Sequence, residues 1–148
     1  MSPIGVAVLA GALVLTACAA RWLRTRDGAL RAPVDGRDDV AGPLAVLARL
    51  GVRPQDADLT VVQFSTAFCA PCRATRARLQ QLQSSRPGLA HVEIDAESQL
   101  DAVRELDVRR TPTLFYLGRD GSLIGRSSGA PRPDELTALV NAHAGTPT

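Results

Sequence analysis

The chain opens on an unbroken apolar run, residues 3–20, PIGVAVLAGALVLTACAA, in which only Thr16 and Cys18 are even mildly polar. Such a run predicts one helix with no polar face to offer water. Its eighteen residues would rise about 27 Å at about 1.5 Å each, close to the roughly 30 Å hydrocarbon core of a bilayer. Trp22 follows where an interfacial aromatic belongs. The pattern then breaks: residues 24–43, RTRDGALRAPVDGRDDVAGP, mix both charges with three Gly and two Pro and hold no hydrophobic period. That composition reads as a linker.

From Leu44 onward the periods are regular. Leu44, Leu47 and Leu50 recur at helical spacing before Gly51. Residues 60–65, TVVQFS, are β-branched and aromatic and read as a buried strand. The stretch from Cys69 to about Ser84 is helix-forming, with Leu79 and Leu82 on one side and Pro87-Gly88 as its stop. HVEID, 91–95, alternates as a second strand, and Asp95 is placed to cap a helix to about Leu106 with Leu100, Val103 and Leu106 inward. Residues 113–117 form a third strand, Arg119-Asp120-Gly121 a hairpin turn, and 122–126 a fourth strand. A last helix from Asp134 to about His143 turns Leu136, Leu139 and Val140 inward. The early βαβ unit implies parallel pairing and the late hairpin antiparallel strands. The expected class is α/β: a mixed central sheet flanked by helices in residues 44–148, behind a transmembrane helix at 1–23 and the linker at 24–43.

Composition narrows the functions. With 148 residues and 45% hydrophobic content the chain can build one ordinary core, and with few aromatics that core is mainly aliphatic. Seventeen basic residues, all Arg, against fifteen acidic ones leave +2, too near neutral to point to nucleic acid. Charge around the apolar run sets an orientation. MSPIG carries none, whereas Arg21, Arg24, Arg26 and Arg31 follow the run. A secretory leader opens with basic residues, and juxtamembrane Arg favours the cytoplasmic side. The expected location is therefore the cell membrane, with a single-pass anchor holding lipid through residues 3–20 and the domain in the cytoplasm. The competing reading takes Leu-Thr-Ala-Cys at 15–18 as a lipobox, with Cys18 lipidated on an extracytoplasmic protein.

The chemistry centres on FSTAFCAPCRATR, 64–76, where Ala70 and Pro71 separate Cys69 from Cys72 at a strand-to-helix junction. Three readings stand. As a structural bridge the pair would restrain little, since the loop it closes is short. As a zinc clip it supplies two ligands where four are needed, and neither His91 nor His143 has ligand spacing. As a redox centre it has the spacing that lets two sulfurs meet on the first turn of a helix.

Taken with Thr111-Pro112-Thr113 about forty residues later and with Gly129 after the hairpin, the Phe-Cys-Ala-Pro-Cys-Arg run at 68–73 makes residues 44–144 resemble a thioredoxin. The resemblance implies a thiol–disulfide oxidoreductase with no metal and no organic cofactor, disulfide-containing protein substrates and a thioredoxin-reductase-type electron donor. Cys69, at the helix N-terminus, would have its pKa lowered from ~8.5 toward ~7 and attack as thiolate. Cys72 would then resolve the mixed disulfide. Arg73 would add positive charge, or simply be solvated. By resemblance Phe68, Ala70, Pro71, Thr111, Pro112 and Gly129 form the substrate surface, with Pro112 as a cis-proline rather than an ordinary trans one at a strand start.

The sequence departs from the family at two places. Gln63 stands where thioredoxins have a buried Asp that helps move a proton, and Ser65 and Phe68 stand where they carry Trp. His91, at the family's Lys position, is the candidate to take over proton transfer, since strand alternation can put it on the Gln63 side. The alternative is a partly exposed His at a strand start. The resulting expectation is a membrane-anchored protein-disulfide reductase. Two others compete: an exported or lipid-anchored thiol–disulfide protein in cytochrome maturation or oxidative folding, and a membrane-tethered interaction module without redox activity.

Overall fold

The computed structural model describes residues 3–26 and 41–145. Five helices and four strands follow in the order α1 (Pro3–Arg26), α2 (Ala41–Arg49), β1 (Leu59–Ser65), α3 (Ala70–Gln83), β2 (Leu89–Asp95), α4 (Leu100–Glu105), β3 (Thr113–Gly118), β4 (Leu123–Ser128) and α5 (Pro133–His143), with a 3-10 turn at Pro54–Asp56. The sheet order is β2-β1-β3-β4. β1 and β2 are parallel, while β1–β3 and β3–β4 are antiparallel. This is the mixed sheet that a βαβ unit followed by a hairpin requires.

β1 is central and buried along its whole length, which is why it reads as a continuous apolar run rather than an alternating one. Its even positions Val62 and Phe64 join Leu47, Ile94, Leu106 and Phe115 on the face covered by α2 and α4. Its odd positions Leu59 and Val61 join Leu79, Leu82, Tyr116, Leu136 and Val140 on the face covered by α3 and α5. Gln63 follows the odd set and so lies beneath α3.

Two boundaries differ from expectation for physical reasons. α2 starts at Ala41 and admits Pro43, because a first-turn residue has no N–H partner to lose. Asp95 does not cap α4. Its carboxylate takes the Glu97 N–H at 2.9 Å and the Ser98 hydroxyl at 2.8 Å, and Gln99 becomes the N-cap. The later start turns Ala102, Val103 and Leu106 inward and leaves Leu100 52% exposed. The hairpin turns at Gly121, whose φ of +81° suits glycine and where a Cβ would come within 2.6 Å of Leu44 Cδ2.

The apolar run is helical as its pattern requires, and the described side chains from Val8 to Arg21 are all exposed. Among the described residues no helix is long and apolar enough to cross a membrane, so the structure does not supply the transmembrane helix expected at 1–23. Most of the linker at 24–43 lies outside the described residues.

Candidate active site

β1 ends at Ser65, and four residues carry the chain to α3. The turn is closed by the Cys69 N–H donating to the Thr66 carbonyl at 3.3 Å. Cys69 is the N-cap of α3, and its sulfur accepts the Cys72 N–H at 3.1 Å. Pro71 sits in the first turn, where its missing N–H leaves no gap in the helix ladder. This geometry puts Cys69 against the positive end of a fourteen-residue helix and Cys72 one turn inside it. The two are joined as a disulfide with Cα atoms 5.2 Å apart.

The sulfurs differ in access. Cys69 is 9% exposed and Cys72 1%, so only the first can meet a large substrate. Phe68 beside it is 96% exposed. An uncovered aromatic next to a reactive sulfur is a ready apolar contact for a partner. Ala70, Pro71 and Arg73 are exposed as well; for Arg73 the solvated reading holds.

Thr111–Pro112 is a cis peptide, as the resemblance implied. The Thr111 hydroxyl lies 3.3 Å from that of Thr66, which ties this loop to the turn that carries Cys69. On its other side the Gly129 N–H donates to the Pro112 carbonyl at 2.8 Å, with Gly129 at φ +96°. Phe68 and Cys69, Thr111 and Pro112, and Gly129 are therefore linked through three neighbouring loops. Among the described residues no group of three or more His, Cys, Asp or Glu could hold a metal ion.

Beneath the disulfide lies a polar group of which sequence reasoning named Gln63 and Ser65 and missed Glu93. Gln63, fully buried, donates through Nε2 to Ser65 Oγ at 2.7 Å and to the Cys72 carbonyl at 3.1 Å. Parallel register sets Glu93, not His91, opposite Gln63; His91 pairs with Val61. Partial burial pushes the Glu93 carboxyl up, but hydrogen bonds from Arg76 and Ser65 and the charges of Arg76 and His91 outweigh it and hold it below its ordinary value. Arg76 of α3 also forms an ion pair with Glu93. Strand alternation indicated the shared face. It could not choose between two polar residues two apart, because that choice needs the β1–β2 register.

His91 reaches the expected face, one register pair away from Gln63. Its Nε2 is buried and has no hydrogen-bond partner among the described residues. Burial pushes its imidazole below the ordinary value; the Glu93 charge opposes this and Arg76 adds to it. A base with a lowered folded pKa contributes stability above its unfolded pKa, ~6.5, and that stability is lost as pH falls through the folded value. His91→Ala is therefore expected to flatten the loss of urea stability between about pH 7.5 and about pH 5.5. Its disulfide-exchange pH profile is expected to stay where it is, since Glu93 holds the position opposite Gln63. A shifted profile would restore His91 to proton transfer.

The sequence matches the family profile described as Thioredoxin over residues 52–142, more than half of the chain. Among similar proteins, Thioredoxin-3, mitochondrial, of Saccharomyces cerevisiae is 36% identical over 73 residues, 49% of this chain and 57% of that protein. Thioredoxin-2 of Pyricularia oryzae is 32% identical over 83 residues, 56% of this chain and 47% of that protein. The chain thus spans about half the length of these two relatives. The crystal structure of oxidised mitochondrial thioredoxin 3 from Saccharomyces cerevisiae superimposes with a TM-score of 0.55 at 28% identity, covering 65% of this chain and 89% of that one. The Fasciola hepatica thioredoxin, at 24% identity, shares the fold with a TM-score of 0.56 over 67% of this chain and 93% of its own.

Proposed function

The chain belongs to the thioredoxin family, and from that premise we propose that it is a thiol–disulfide oxidoreductase that reduces protein disulfides. The observation that carries the reading is the Cys69–Cys72 pair at the N-terminus of α3, one sulfur reachable and the other enclosed. In the reduced protein Cys69 attacks a substrate disulfide as thiolate, favoured by the helix N-terminus and by the Cys72 N–H. One substrate sulfur leaves and a mixed disulfide forms. Cys72 then attacks Cys69, the second substrate thiol leaves, and the pair returns to the disulfide. A dithiol donor of the thioredoxin-reductase type regenerates it. Exchange with an aromatic disulfide tests the reading: reduced protein should turn it over, and a chain inert despite a reducible Cys69–Cys72 bond would leave the interaction module as the better account.

The finer reading is a tether. α1 exposes Val8, Leu9, Leu13, Val14 and Leu15 by 62–72% each, and aliphatics on every side of a helix suit lipid rather than water. The Thr16 hydroxyl donates to the Ala12 carbonyl at 2.7 Å, which keeps that polar group satisfied in a medium without water. With Arg21, Arg24, Arg26 and Arg31 after the run, the domain faces the cytoplasm. An impermeant thiol reagent applied to intact cells with reduced Cys69 should label it only after lysis. Labelling before lysis would favour the exported or Cys18-lipidated form, where cytochrome maturation or oxidative folding becomes the role.

A further inference from the structure

The Gln63 amide has two acceptors on one side, Ser65 Oγ at 2.7 Å and the Cys72 carbonyl at 3.1 Å. A carbonyl oxygen can only accept, so the amide nitrogen and not its oxygen faces the Cys72 carbonyl, which fixes the way the amide is turned. Its other atom, Oε1, is a fully buried acceptor without a partner among the described residues. A buried orphan acceptor calls for an explanation. The sulfur of Cys72, the residue whose carbonyl holds this amide, is bound in the disulfide and carries no hydrogen in this state.

Resting on the dithiol cycle above, we propose that Gln63 Oε1 accepts the S–H of Cys72 once the disulfide is reduced. In that step a dithiol donor gives two electrons and two protons and becomes a disulfide. The Cys69–Cys72 bond breaks and each sulfur gains one hydrogen. The orphan of the oxidised state is thereby satisfied in the reduced one. A hydrogen bond from the thiol favours the protonated sulfur, while the helix N-terminus favours the thiolate at Cys69. The pair is thus divided into a nucleophile and a reserve thiol. Gln63, which cannot take the proton, leaves it on Cys72 until the resolving attack releases it to solvent.

The S–H stretching band reads this contact directly, because hydrogen bonding lowers its frequency. In the full chain carrying Cys18→Ala and Cys69→Ala, Cys72 is the sole thiol. Its band is expected to rise in frequency when Gln63→Met is added. A band unmoved by Gln63→Met would overturn the proposal. If that variant fails to fold, Gln63→Leu decides; there an unmoved band would overturn it. Disulfide exchange by the unmodified chain is measured separately, so failure of the oxidoreductase reading and failure of this contact are told apart.

Discussion

Cys69→Ser is expected to abolish disulfide exchange, whereas Cys72→Ser should retain the first attack and accumulate covalent complexes with substrate. The asymmetry follows from the helix N-terminus. Cys69 is the N-cap and partly reachable; Cys72 is 1% exposed and approaches only Cys69. Without Cys69 no sulfur meets the substrate. Without Cys72 the mixed disulfide forms but waits for an external thiol. An oriented intramolecular attack has an effective concentration of about 10⁵ M or more, against millimolar thiol in solution. Turnover should therefore fall by several orders of magnitude in both variants, and only Cys72→Ser should show mixed disulfides on non-reducing gels. Turnover at the parent rate in Cys72→Ser would mean that another thiol resolves the complex. Cys18 is the only other cysteine in the chain, and adding Cys18→Ala would identify it.

The parts of this site that were legible in the sequence are those fixed by local rules. The Cys-Ala-Pro-Cys spacing on a helix start, the X-Pro before β3 and the Asp-Gly hairpin all act within a few residues, and each lies where its chemistry put it. What the sequence hid depends on contacts between strands. Gln63 and Ser65 stood out as departures from the family, but Glu93 is an unremarkable polar residue until the parallel register sets it against Gln63. His91 was the more conspicuous candidate because imidazole titrates near neutrality, yet a single step of register separates it from the polar group. Leu100 was misplaced for a local reason. Asp95 had a stronger local use, closing the turn with Glu97 and Ser98, and that use shifted the start of α4.

Gln63→Glu tests whether this position tolerates charge, and the expected effect is large. The two side chains have nearly the same shape, so packing is preserved, but the amide donor to Ser65 and to the Cys72 carbonyl is lost. At this fully buried position a carboxyl loses hydration first, and Glu93 opposite it adds like-charge repulsion; both raise its pKa. Buried carboxyls reach shifts of 3–5 units, and about three units above ~4.3 corresponds to about 4 kcal/mol. The sign is fixed by linkage. A carboxyl whose folded pKa is raised is tolerated while protonated, and its penalty grows as pH rises from the unfolded value through the folded one. Relative to the parent chain, the variant should therefore lose about 4 kcal/mol of urea stability between about pH 4.5 and about pH 7.5, a large share of the roughly 5–15 kcal/mol that holds a domain together. Equal losses at both pH values would mean that the new carboxylate finds water or a cation, and that the space beneath Cys72 is not the closed environment described here. Where the variant stays folded, the same raised pKa gives Cys72 a neighbouring base near neutrality. Resolution of the mixed disulfide should then quicken while stability falls, so that at this one position a faster cycle and a more stable fold call for different residues.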